Sequence, residues 1–152
     1  MELIELLQQE SPRLLKDAMA LIRRSHLEHY EQSGDDVTLR NVQSLFALTL
    51  DALRDRNLTP LMEHVDTIAE ERFKAGYDLG EVQTAFNVLE EVIWNRVVRD
   101  LRPEQQAESL GLVSTVLGAG KDRLARTYVS LASNTRAPSL NLQRLFRGSE
   151  GT

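Results

Sequence analysis

The sequence predicts an all-α protein, and three observations carry that prediction. Aliphatic residues recur at three- and four-residue spacing along most of the chain. The sustained period-two alternation that marks a half-buried strand is missing. Helix-start chemistry recurs as Ser11-Pro12, Thr59-Pro60, and Asp78 with Glu81 three residues on.

The elements follow in order. After a short N-terminal helical turn, Ser11 supplies a hydroxyl N-cap and Pro12 a first helical position where a missing N–H loses nothing. That helix is expected to reach about Glu31, where Gln32-Ser33-Gly34-Asp35-Asp36 breaks it. Thr38 or its neighbours begin the next, which ends near Arg56-Asn57. Thr59-Pro60 opens a third, ended by Gly76. Asp78 and Glu81 make an Asp version of the capping box ahead of a helix to about Leu101, and Pro103 opens a last long helix to about Ala132. The count is about six helices. Short connections make neighbours pack closely, as an antiparallel helical bundle or as a globin-like sandwich of crossing pairs.

With 152 residues the chain has the size of one domain, long enough to bury a core without staples. Residues 1–133 read as a helical input or interaction domain and 134–152 as a flexible basic tail, since composition shifts there to Asn, Thr, Arg, Pro and Ser. Beyond Ser133 stand Arg136, Arg144 and Arg147 against Glu150, a net +2, so the rest carries −7 of the total −5. An acidic body makes nucleic acid an unsuitable main partner, because duplex binding rests on cationic contacts to phosphate. Within the tail, Leu142, Leu145 and Phe146 share one helical face beside Arg144 and Arg147, a candidate partner-binding segment; terminal fraying is the plainer reading.

Cysteine is absent, which removes disulfides, thiolate nucleophiles and zinc ribbons and fits a reducing compartment. The start MELIELLQQESP lacks a signal-peptide pattern, and no run approaches the roughly 20 apolar residues of a membrane span. The expectation is a cytoplasmic protein without membrane contact.

Searches for chemistry return failures. His26 and His29 stand at i,i+3, but a di-iron bundle needs Glu-x-x-His pairs, and the residues three before His26, His29 and His64 are Arg23, His26 and Leu61. A helix continuing to Glu31 would put His29 in the stripe of Leu14, Ala18, Ile22 and Ser25; a hydrogen-bonded interior histidine is the main reading and the wall of a haem pocket the alternative. GAGKD at Gly118–Asp122 lacks the first glycine and the Ser/Thr of a phosphate loop, with Thr115 and Asp122 in those places. Its glycines suggest close helix approach, and Lys121, on the stripe of Leu110, Leu117, Leu124 and Tyr128, suggests a kink with a snorkelling lysine. No serine or aspartate sits on a strand-to-helix elbow, and Glu70-Glu71 and Glu90-Glu91 point to different helix faces. The chain is therefore read as no enzyme, with no cofactor.

The distinctive run lies between Glu70 and Trp94. Arg72 projects into the stripe of Leu61, Val65 and Ile68, where a lone guanidinium is expensive unless an acid or a carbonyl receives it. In the next helix Val82, Ala85, Phe86, Leu89, Ile93 and Val97 form the buried stripe, while Trp94, Val98 and Leu101 fall away from it. Such a second apolar shoulder is either wrapped by neighbours or packs on another copy of itself, which makes these three a candidate interface of a symmetric dimer.

Arg72, a short turn with Gly76, an acid, Glu81, on the first turn of a helix, and Trp94 about a dozen residues later form a pattern, in which Asp78 stands as the capping residue. It resembles the N-terminal input domain of RsbR-type proteins, the RsbT co-antagonists of the bacterial stressosome. The resemblance extends over helices from about Pro12 to Leu131, and the central stretch is its specific part. It implies a dimeric helical sensor module for stress signalling without catalytic activity; relatives include a globin-like fold without haem. Such input domains normally precede an output domain, for example a phosphorylatable STAS domain. The expected partner is therefore a protein carrying a separate output domain.

Overall fold

The computed structural model describes the backbone of residues 1–151 and the side chains of residues 1–135. It is a helical bundle, 88% helical, with seven α-helices and no strand among the described residues. They are α1 (Leu3–Gln9), α2 (Ser11–Arg24), α3 (Glu28–Ser33), α4 (Asp35–Asp55), α5 (Thr59–Lys74), α6 (Leu79–Asp100) and α7 (Pro103–Gly151).

The extra helix arises where one continuous helix was expected to Glu31. The chain leaves α2 at Ser25, whose hydroxyl folds back to the Leu21 carbonyl at 2.9 Å, and His26 adopts φ +49°. Leu27 is extended and α3 starts in a new direction. His29 consequently does not lie on the stripe of Leu14, Ala18 and Ile22. A left-handed histidine is uncommon, and no local residue pattern announces it. Helix α4 starts earlier than expected, at Asp35, after Gly34 at φ +88°. Asp35 and Asp36 read as a breaker in one dimension but sit in a first turn, where the helix dipole favours acids.

All three proline-marked starts are present, but the two Ser/Thr-Pro starts lack the expected hydroxyl caps. Ser11 and Thr59 are the first residues of their helices and make no capping bond; the Thr59 N–H donates to Asn57 Oδ1 at 3.1 Å instead.

Helix α7 packs most extensively against α5 and α6, while α2 lies on α6 and α4. The fully buried side chains Leu14, Leu61, Val65, Phe86, Leu89, Ile93, Leu117 and Leu124 form the centre. Burying a leucine or phenylalanine of this kind contributes about 1.5–3 kcal/mol. Two polar clusters join the helices. Asp66 of α5 receives Arg123 of α7 in a two-point pair at 2.8 and 2.7 Å, with the Thr127 hydroxyl at 3.0 Å. The Arg123 hydrogen bonds hold the Asp66 carboxyl below the usual carboxylate range. Arg96 of α6, only 11% exposed, lies 3.6–4.0 Å from Glu10, Asp17 and Asp100.

Helix α7 continues past the expected end near Ala132, with no backbone break at residues 133–134. Leu142, Leu145 and Phe146 have side chains outside the described residues. Lys121 reaches the seam between α6 and α7, donating to Asn87 Oδ1 at 2.8 Å beside Glu90 at 3.7 Å. Of its neighbouring glycines, Gly120 marks the close approach: a Cβ there would stand 2.9 Å from Phe86 Cε1. At Gly118 a Cβ meets nothing within 4 Å.

These two glycines give opposite expectations. Gly120→Ala forces the buried Phe86 ring aside and lowers stability, overpacking costing about 1–3 kcal/mol against a helix-propensity gain of up to about 1 kcal/mol. Gly118→Ala keeps only the gain and raises the thermal midpoint. Thermal unfolding followed by circular dichroism checks both signs.

Candidate functional site

The connection between α5 and α6 is a four-residue turn, Ala75–Asp78, and His29, Tyr30, Arg72, Tyr77, Glu81 and Tyr128 gather around it. The Tyr77 N–H donates to the Arg72 carbonyl at 2.9 Å, and Gly76 takes φ +84°, a left-handed turn that glycine adopts without strain. Asp78 is the N-cap of α6.

Glu81 stands at the centre. Its Oε1 accepts the Asp78 N–H at 3.1 Å, closing its half of the capping box. The same atom lies 2.7 Å from His29 Nδ1, and Oε2 accepts the His29 N–H at 3.1 Å. His29 is the second residue of α3, so its amide is one of the orphan donors of that helix. One carboxylate thus caps two helix N-termini distant in sequence. The carboxylate is 11% exposed. Burial acts to raise its pKa, but the amides of Asp78 and His29 and the imidazole together outweigh it and hold the group below the usual carboxylate range. Because an ionised carboxylate only accepts, Nδ1 of His29 carries the proton.

Tyr77 completes the hub. Its ring lies 4.8 Å from that of His29 and 5.6 Å from that of Tyr30, with the Arg72 guanidinium 5.4 Å from its centroid. Its hydroxyl pairs with Ser33 Oγ at 2.6 Å and donates to the His29 carbonyl at 3.3 Å. Its own carbonyl accepts the Tyr128 hydroxyl at 3.1 Å, which brings in α7. Burial pushes the Tyr128 phenol up to about 12 and the Tyr30 phenol higher still, so both remain neutral and the Tyr128 hydroxyl keeps its proton to donate. Arg72 finds the Tyr77 face and Glu71 at 3.6 Å.

The residues Arg72, Gly76, Asp78 and Glu81, singled out together in the sequence, therefore meet in space with His29, which had been considered separately. His29 has Glu81, Tyr77 and Gly76 for neighbours, polar or aromatic groups of one turn, and these give no support to an apolar haem-pocket wall. His26 is exposed and faces Glu31 at 3.1 Å, so the two histidines do not converge. Among the described residues no three His, Cys, Asp or Glu side chains are grouped to hold a metal ion.

The second region is the outer face of α6. Trp94 is 41% and Val98 54% exposed. The indole Nε1–H donates to Ser114 Oγ at 3.3 Å, and that hydroxyl lies 3.4 Å from Glu90 Oε2. An open groove lined by Asn87, Glu90, Glu91, Trp94 and Asn95 runs beside the ring. Leu101 does not belong to this face: it is 4% exposed and part of the core. Helix α6 ends at Asp100 and Leu101 leaves it with ψ 152°, so a helical projection misplaces its side chain.

A helical domain whose most connected polar groups brace one inter-helix turn, and whose exposed aromatic lies on a separate helix face, has the build of a signalling or interaction module. The chain belongs to the family of the RsbT co-antagonist protein rsbRD N-terminal domain, whose model matches residues 12–139. That membership makes it a stressosome-related signalling domain. No curated protein and no solved structure matches the chain. No helix among the described residues is long and apolar enough to cross a membrane.

Glu81→Gln keeps the side chain's shape and removes its charge, so it should cost about 2 kcal/mol at neutral pH, hydrogen bonds to charged groups being worth about 1.5–3 kcal/mol each. A carboxyl whose pKa is lowered by folding contributes stability that is fully present above its unfolded pKa and lost as pH falls through its folded one. The gap between wild type and Glu81→Gln is therefore widest near neutrality and closes in acid. Urea unfolding across pH 3–7 reads it; a gap independent of pH would show that Glu81 is not ionised in the fold.

Proposed function

We propose that this domain is a non-enzymatic signal-input module that forms a homodimer and passes its signal to a separate output protein in the cytoplasm. The observation that carries the reading is the exposed Trp94–Val98 pair on α6. Large apolar side chains at adjacent turns of a surface helix favour a protein partner. The hub supports the non-enzymatic part. His29 and Glu81 are joined to each other and to backbone amides, and Tyr77, Tyr30 and Tyr128 are packed or hydrogen-bonded within the turn. Family membership supports stress signalling, with the output provided by a protein such as one carrying a STAS domain.

Light scattering coupled to size-exclusion chromatography at tens of micromolar should give twice the 17.2 kDa chain mass. A strict monomer at that concentration ends the dimer reading. Titration calorimetry against a STAS-domain protein from the same organism should show saturable binding, and no heat with a folded partner would remove the proposed output route.

A further inference from the structure

We infer that the cleft between α2 and α6 binds a small acidic amino acid, a molecule carrying two carboxylates and one ammonium. This goes beyond the dimer reading and does not depend on it.

Three observations carry it. The cleft has a volume of about 250 Å³, below the roughly 300–1,000 Å³ of drug-sized ligand sites, so its occupant is small. It is lined by the guanidinium of Arg96, only 11% exposed, next to the apolar side chains of Leu21 and Val92. The carboxylates of Glu10, Asp17 and Asp100 stand 3.6–4.0 Å from that guanidinium, and among the described residues it makes no hydrogen bond within 3.5 Å. A largely buried guanidinium has five N–H donors to satisfy, and a carboxylate oxygen in the cleft is the acceptor that suits them. The third observation is the charge around the opening. Arg24, the last residue of α2, and Glu91 and Arg99 of α6 line the same cleft, and among the described residues none of the three has an ion-pair partner within 4 Å. Arg24 makes one long bond, from Nε to the Ala20 carbonyl at 3.4 Å.

The ligand class follows from these charges. Glu91, Asn95 and Arg99 succeed one another at four-residue spacing, so one row of α6 presents an acid, an amide and an arginine to the cleft. Two guanidiniums and one carboxylate without close partners call, with signs reversed, for two carboxylates and one ammonium. Arg24 and Arg99 each offer a planar fork of donors that matches a carboxylate, and Glu91 accepts from the ammonium. A phosphate or a plain dicarboxylate satisfies the arginines but sets its remaining negative charge against Glu91 and Asp17. A simple amine meets three arginines. The mixed molecule is the one whose charges all find a partner.

The test is titration calorimetry of the full chain with L-glutamate as the probe, and with glutarate, which is glutamate without its amine, and inorganic phosphate beside it. L-glutamate should bind at one site per chain with a Kd below about 1 mM. Arg24→Gln and Arg99→Gln should each weaken it by about tenfold or more, the loss expected for a charge-assisted hydrogen bond. Glu91→Gln should weaken L-glutamate by about tenfold and yet bind glutarate more tightly than wild type does, because it removes a repelling charge. All three positions are exposed, and circular dichroism establishes that each variant is folded. No heat with about 10 mM L-glutamate, an affinity indifferent to all three substitutions, or glutarate or phosphate bound by wild type as tightly as L-glutamate overturns the assignment. The dimer measurement fails separately: a monomer that binds L-glutamate leaves the cleft standing, and a dimer that binds none ends it.

Discussion

The carboxylate of Glu81 is the constraint on which the arrangement of this domain depends. A helix start leaves amides without partners, and α3 and α6 both begin beside the Glu81 side chain, which is only 11% exposed. Glu81 serves the α6 start through Asp78 and the α3 start through His29. In doing so it fixes the angle at which the short α3 meets the α5–α6 turn. Tyr77 then has one place to lie, between His29, Tyr30 and Arg72, and its carbonyl becomes the acceptor that positions Tyr128 of α7. Four helices are thereby referenced to one turn.

The same bonds bear on function. An acid and an imidazole 2.7 Å apart form a familiar catalytic pair, but here both are also held by helix amides or ring contacts. What they do well is hold a turn. That division leaves α6 with two roles. Its inner stripe, Val82, Phe86, Leu89, Ile93 and Val97, faces the core, while Trp94 and Val98 face outward. A change at the α6 N-terminus, where Glu81 sits, and a change at its outer face are connected by one rigid helix of 22 residues.

Much of this was legible in one dimension, for reasons particular to each feature. The Asp78–Glu81 box could be read because capping is local chemistry, complete within four residues. The buried stripe of α6 and the exposure of Trp94 and Val98 could be read because a regular helix converts spacing directly into direction. Leu101 was misread because the helix had already ended. The break at His26 was missed because a positive φ at a histidine has no residue signature, and with it went the placement of His29. The Asp66–Arg123 and Arg96 clamps join residues on different helices, so nothing in the local pattern marks them.

By itself, then, the sequence determined the all-helical class, the positions of the proline, glycine and acid punctuation, and the identity of the core stripes, because each depends on neighbours within a turn or two. It also picked out Arg72, Gly76, Asp78 and Glu81 as one motif. Only the tertiary structure decided what that motif holds. A hydrogen bond from the His29 amide to Glu81 spans 52 positions of chain, and its existence depends on how α3 and α6 come together. Packing and the turn at His26 set that meeting, and no periodicity within either helix encodes it.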